Sequence, residues 1–213
     1  MGCDKNTSEQ SPHNSNVSVA GSVNDWQQLN IQSALLATAS FHTATNRFIN
    51  EPNQETLQNW RLNWQDCHDK VIVAVLLAPN KRRASTIDPW PIEPGFLDSL
   101  PEYDQSGIIN DETLAINDLV LKSQHQITDV SEVALGLHVL EYYAFARLLS
   151  DFEPHTKTAL RRSQLILSVS SILTEDLRQL DAQDSPLKFT ELSILELIQL
   201  LELRSQHIFS EFN

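Results

Sequence analysis

The stretch DVSEVALGLHVLEYYAFARLLS, residues 129–150, decides the fold. Asp129 can cap a helix at its start, and the residues that follow are apolar on nearly every side. Formal charges occur after the cap only at Glu132, Glu141 and Arg147. A helix that is apolar all round is normally buried. The pattern therefore predicts a central helix that ends near Ser150 and is surrounded by the rest of the chain.

Apolar residues recur at steps of three and four on both sides of this stretch, and each such stripe predicts a further helix. One helix runs from Asn24 to about Asn50, and the next follows the cap Asn53 and ends before Pro79. A shorter one begins at Asn110-Asp111, which is a good cap. Two more stripes follow Pro154, separated by Ser185-Pro186: Leu165, Val169, Leu173, Leu177 and Leu180, then Ile194, Ile198, Leu201, Ile208 and Phe212.

The segment from Pro79 to Asn110 lacks a convincing long helix, because it holds four further prolines and two glycines. A connection of that length in a compact domain is usually functional or covers something important. We therefore expect an all-α fold, an up-and-down helical bundle with a long proline-rich segment packed across it.

The composition limits the partners of the chain. A formal charge of −13 over 213 residues repels nucleic acid and anionic lipid headgroups, and it favours cationic partners such as metal ions. Only two cysteines occur, Cys3 and Cys67, so a disulfide framework is not indicated. Uninterrupted apolar runs stay well below the roughly 18 residues that a membrane-spanning helix needs.

The first residues predict a tether. Met1-Gly2-Cys3-Asp4 leads directly into a stretch rich in Ser, Asn and Gln, and we expect residues 1–23 to be disordered. A Gly-Cys pair before a polar linker is typical of a processed lipoprotein, in which Cys3 would carry the lipid and be the chain's contact with the membrane. Residues 24–213 would then form the folded domain.

His138 and Glu141 are the candidate site. They fall on one stripe of the predicted central helix, where a buried carboxylate needs a proton, a basic neighbour or a cation. His and Glu at this spacing supply two ligands to one metal in some helical bundles. Gly136 in mid-helix would cost about 1 kcal/mol relative to Ala, which indicates that a backbone or a ligand approaches closely. The spacing alone is equally compatible with a hydrogen-bonded structural pair.

The segment from Gly136 to Glu141 resembles the Gly-x-His-x-x-Glu signature of the imelysin-like family. Three other stretches resemble the family in the same order along the chain: Trp90 to Asp98, Gly107 to Asp111, and Arg161-Arg162. The similarity spans roughly Trp26 to the C-terminus. Family members usually continue beyond the point that matches Asn213, so we expect a short variant or a fragment of a longer two-bundle protein.

The resemblance implies an all-helical protein with two bundle-like halves and a cleft between them. Gly136, His138 and Glu141 would line the cleft, with Trp90 and Asp98 nearby. Trp60 and Trp64 either shape this cleft or belong to the core. Members of the family are envelope proteins, often lipoproteins, that are associated with iron uptake and were classed with metallopeptidases.

We therefore expect a lipid-anchored protein of the bacterial periplasm that binds a metal ion, a metal complex or a partner protein of an iron-uptake system, without peptidase activity. His138 and Glu141 would bind a divalent iron or zinc ion. The alternative is a zinc peptidase whose third ligand comes from His42, His68 or Asp98. A third reading is an interaction module in which His138 and Glu141 are purely structural.

Overall fold

The computed structural model describes residues 13–76 and 85–183, with side chains described over 25–76 and 85–180. Six α-helices are described with these bounds: α1 (His13–Asn50), α2 (Gln54–Val75), α3 (Pro94–Leu97), α4 (Asp118–Gln124), α5 (Leu137–Glu141) and α6 (Lys157–Gln183). A π-helical turn, Tyr142–Ala146, continues α5, and a 3-10 turn follows at Leu149–Phe152. Within those ranges no β-strand forms, and the predicted all-α class is confirmed.

The long helix α1 packs against both α2 and α6, and the core lies among these three helices. Phe48 of α1 stacks on Trp60 of α2, with ring centroids 4.9 Å apart. The predicted stripe of α6 is confirmed, because all five of its apolar residues from Leu165 to Leu180 are buried. No described helix is both long enough and apolar enough to span a bilayer.

The start of α2 follows the predicted capping chemistry. Thr56 donates its backbone N–H to Oδ1 of Asn53 at 3.0 Å, and the backbone N–H of Asn53 donates to Oγ1 of Thr56 at 3.1 Å. This reciprocal pair satisfies N–H groups that the first turn of a helix leaves without partners. The predicted boundary at Asn53 is therefore confirmed.

The first helix begins at His13, well before the predicted start at Asn24. Extending an existing helix fixes one residue for each new hydrogen bond, which is far easier than starting a new helix. The backbone of residues 13–23 is accordingly helical where the sequence predicted a disordered tether. Residues 1–12, with the proposed lipid-bearing Cys3, lie outside the described residues, as do Ser185-Pro186 and the last apolar stripe.

The predicted central helix over residues 129–150 is wrong at both ends. Residues 129–136 form turns and extended backbone, and regular α-helix is confined to Leu137–Glu141. Gly136 precedes the helix with a φ of +93°, in the region that L side chains rarely adopt. The segment is apolar on all sides because every residue from Val133 to Leu140 is buried. The first four of these residues form irregular backbone, and the last four belong to α5.

The predicted helix at Asn110-Asp111 starts later than expected. The actual cap is Asn117, whose Oδ1 accepts the backbone N–H of Val120 at 3.0 Å. Residues before it form turns, and the guanidinium of Arg161 holds several of their carbonyl oxygens. As predicted, the described part of the proline-rich segment, residues 85–110, contains no long helix.

Candidate functional site

His138 lies in the first turn of α5 and is buried, with 4% of the residue exposed. Its imidazole ring lies between two carboxylates. Nδ1 is 2.8 Å from Oε2 of Glu141, and Nε2 is 3.0 Å from Oδ1 of Asp88. The structure thus forms a carboxylate–imidazole–carboxylate cluster, which we call the His138 cluster: Asp88, His138 and Glu141.

Glu141 differs from the expectation that both groups of the pair are buried, because 41% of its side chain is exposed. Its carboxylate faces Nδ1 of His138 directly, so the two groups contact each other. With a neutral ring, an N–H on Nδ1 can donate to Glu141, and Nε2 then carries the lone pair beside Asp88. With both ring nitrogens protonated, the imidazolium would pair with both carboxylates.

Asp88 is the site residue that the sequence reasoning missed. It lies fifty positions before His138 in the proline-rich segment, and only 9% of its side chain is exposed. A Cβ atom on Gly136 would lie 2.4 Å from Cδ of Pro89 and 2.8 Å from the carbonyl oxygen of Ile87. The close approach inferred from Gly136 is therefore real, and it is the sequence signal that points to the segment holding Asp88.

Aromatic rings surround the His138 cluster. The ring of Trp90 lies 5.0 Å from that of His138, and the ring of His68 lies 6.2 Å from it. His68 in turn stacks on Trp64 at 4.9 Å, and only 16% of its side chain is exposed. Phe145 contacts Trp64 from the outer side and is 43% exposed. Trp90 thus lies beside His138.

Asp98 belongs to a different, fully buried cluster. Arg162 binds both of its carboxylate oxygens, with Nε 2.7 Å from Oδ2 and Nη2 2.9 Å from Oδ1. Arg147 lies 3.7 Å from Oδ2 on another side. Burial alone would lower the pKa of Arg162, but the hydrogen bonds and charge of Asp98 raise it. A carboxylate engaged in this way is a structural partner of arginine, and it is not available as a third metal ligand.

Two other residues from the sequence analysis also lie apart from the His138 cluster. Trp60 is buried in the core, where its Nε1 donates to Oγ1 of Thr45 at 2.8 Å. It therefore supports the core and does not shape a cleft. His42 bridges α1 and α6 through Nδ1, which is 2.8 Å from Oγ of Ser170.

The donors that could hold a metal here are one imidazole and two carboxylates, placed on opposite edges of the ring. Over residues 25–76 and 85–180, where side chains are described, no three His, Cys, Asp or Glu side chains are grouped around one point as a metal site requires. Cys67 does not extend the set, because burial raises the pKa of its thiol to about 12 and the thiolate is the form that binds metals. In its present geometry the cluster offers at most two protein ligands to one ion.

The family model for Imelysin, labelled Peptidase_M75, matches residues 29–196, a range that includes all three residues of the His138 cluster. No curated protein matches the chain.

Proposed function

Because this chain belongs to the imelysin family, we propose that it binds a metal ion, a metal complex or a metal-carrying partner of an iron-uptake system at the His138 cluster. We propose further that it is a lipid-anchored protein of the bacterial periplasm and is not a peptidase. The observation that carries the binding role is the position of His138 between two carboxylates, of which Glu141 reaches solvent.

Electrostatics support a cationic ligand. Asp88 and Glu141 place two negative charges against one ring, and the chain as a whole carries a formal charge of −13. Imidazole and carboxylate donors both suit divalent iron and zinc. A metal must bind a ring nitrogen of His138 that carries no proton, so protons compete with the metal for the site.

The donor set supports binding over catalysis. A catalytic zinc ion normally has three protein ligands and one open position. Of the expected third ligands, Asp98 is held by Arg162 and His42 by Ser170. His68 is close, but its ring stacks on Trp64 and lies edge to face with His138. Two protein ligands suit a metal ion whose remaining coordination positions are filled by ligands that it brings with it, as in a metal complex.

Calorimetric titration tests the binding role. Ferrous iron, under anaerobic conditions, and zinc are titrated into the purified protein, into His138→Ala and into His155→Ala, which removes an exposed histidine outside the cluster. We expect one saturable site that is lost in His138→Ala and kept in His155→Ala. Absence of binding to the unmodified protein, or equal binding by His138→Ala, would remove the metal role.

A peptide-library assay with a chelator control tests the absence of peptidase activity. We expect no cleavage that depends on the site. Cleavage that a chelator abolishes and that His138→Ala loses would contradict the proposal and establish the zinc peptidase alternative. The anchor is tested separately, by detergent-phase partitioning of the protein from bacterial membranes. Partitioning should be lost in Cys3→Ser, and its persistence there would contradict lipidation at Cys3.

A further inference from the structure

A second candidate site lies away from the His138 cluster. A cavity of about 500 Å³ that is widely open to solvent lies between α3, the loop over residues 105–114 and the last residue of α4. Its volume is in the range of small-molecule sites. No residue of the His138 cluster lines it, and the proposed metal role makes no use of it.

The walls of the cavity are fixed by the fold. The backbone N–H of Ile108 donates to the carbonyl of Phe96 at 2.9 Å, which ties the loop to α3. Gly107 has a φ of +86°, and a Cβ atom there would lie 2.3 Å from the backbone nitrogen of Asp98. Arg161 of α6 donates to four carbonyl oxygens between Ile108 and Leu114, at 2.7 to 3.0 Å. A ligand would therefore meet a preformed wall and would not have to order a loose loop.

The lining combines three kinds of group. Gln105 and Gln124 contribute primary amides, each with two donors and one acceptor oxygen. Asp111 contributes a carboxylate, whose pKa is lowered because Oγ1 and the backbone N–H of Thr113 donate to it. Phe96 and Ile108 contribute apolar surface. Neither Lys nor Arg is among the lining residues, and the guanidinium of Arg161 behind the loop is engaged with the carbonyl oxygens of Ile108, Asp111 and Leu114.

We propose that this cavity binds a small polyhydroxylated ligand of the sugar class, either neutral or carrying an ammonium group. Ring hydroxyls both donate and accept hydrogen bonds, which suits the two amides and the carboxylate. The C–H face of a sugar ring can lie against Phe96, as apolar faces do on aromatic side chains. An anionic sugar is disfavoured, because Asp111 is the charged residue among those that line the cavity. This site is independent of metal binding at the His138 cluster.

Nuclear magnetic resonance of the full chain, labelled with ¹⁵N, tests the site with three probes that share one ring and differ in charge. The probes are methyl glucoside, glucosamine and glucuronate. We expect the neutral and the cationic sugar to shift the side-chain amide signals of Gln105 and Gln124 and to saturate at millimolar concentration. Glucuronate should bind at least about tenfold more weakly.

A matched pair of variants isolates the carboxylate. Asp111 and Asp129 are both fully exposed, and each accepts the backbone N–H and hydroxyl of the Thr or Ser two residues later. Only Asp111 lines the cavity. Asp111→Asn should abolish the difference in affinity between glucosamine and glucuronate, whereas Asp129→Asn should leave that difference unchanged. Both variants keep an Oδ1 acceptor for the same kind of turn contact, so any general loosening of the fold would affect them alike.

Three results would overturn the proposal. The first is the absence of any saturable shift at the two glutamines with sugar concentrations up to about 50 mM. The second is equal binding of all three probes to the unmodified protein. The third is an equal effect of Asp111→Asn and Asp129→Asn on the charge preference.

Discussion

Oε2 of Glu141 lies 2.8 Å from Nδ1 of His138, although the imidazole is buried and the carboxylate is 41% exposed. The pair therefore spans the boundary between core and solvent. In the proposed metal site, Glu141 would be the group that an incoming cation meets first, and His138 is the group that is buried. Groups that contact a ligating imidazole through its other nitrogen fix the ring and tune its basicity.

Glu141→Gln tests whether the carboxylate of Glu141 contributes to metal binding. The variant keeps the size of the side chain and removes its charge, so we expect the affinity for iron or zinc to fall about 10-fold to 100-fold. Glu153→Gln, an exposed position outside the cluster, is the control. Calorimetric titration measures both, and an equal affinity for the two variants would show that Glu141 has no part in the site.

Asp98→Asn should be one of the most destabilising polar substitutions in the protein. It leaves the guanidinium of Arg162 buried beside a neutral amide, and the loss of one partner of a buried pair typically costs about 3–5 kcal/mol. Urea unfolding measures the free energy. The control is Asp66→Asn, which breaks the exposed pair with Lys70 and should cost at most about 0.5 kcal/mol. Similar costs for the two would contradict a structural role for Asp98.

Gly136→Ala should destabilise the protein by about 1–3 kcal/mol or more, because it combines a positive φ with a clash against Pro89. Gly95→Ala is the matched control. Its Cβ would meet the end of the Leu100 side chain at 2.8 Å, and that side chain can move. Thermal unfolding compares the two. A stable Gly136→Ala variant would mean that the segment around Asp88 does not approach α5 as described.

Stability should decrease as the pH falls below about 6.5, partly because of His42. Burial and the charge of Arg178 lower the pKa of His42 from its ordinary value of 6.5. Asn46 places an N–H 3.1 Å from Nε2, which favours the neutral ring. The unfolded chain then binds the proton more readily than the folded one, so stability is lost as the pH drops through the ordinary value.

Urea unfolding between about pH 7.5 and pH 5 measures this dependence. His42→Gln should flatten it, and His155→Gln, at an exposed histidine, should not. An unchanged slope in His42→Gln would assign the acid sensitivity to other groups.

Cys67 should resist thiol reagents in the folded protein. It is buried in α2, and with a pKa of about 12 almost none of it is thiolate at neutral pH. In a Cys3→Ser background, Ellman's reagent should react only after urea is added. Rapid reaction of the native protein would mean that α2 does not pack on α1 as the structure has it.

The sequence predicted the long helices and the pair of residues at the site because those features depend on local pattern. Asn53 caps α2 through neighbours three residues away, and the stripe on α6 repeats with the helical period. Such signals lie within one turn or one helix, where spacing alone determines which side chains meet.

The central segment was mispredicted because an apolar run does not show whether its backbone is helical. Residues 133–136 are buried as irregular backbone, and Gly136, at a positive φ, lies against Ile87 and Pro89 from elsewhere in the chain. Asp88 was missed for the same reason, since only the folded chain places it beside His138. Contacts between segments that are far apart in sequence leave no periodic pattern of residues, so they cannot be predicted from spacing.

The guanidinium of Arg161 also bears on the order in which the molecule forms. Four carbonyl oxygens between Ile108 and Leu114 depend on one side chain of α6, and lysine, with its compact ammonium, could not serve all of them. The carbonyl oxygens of this loop can exchange their hydrogen bonds to water for hydrogen bonds to Arg161 only after α6 has packed against the loop. Its amide protons should consequently exchange with deuterium together with those of α6, as a single cooperative unit.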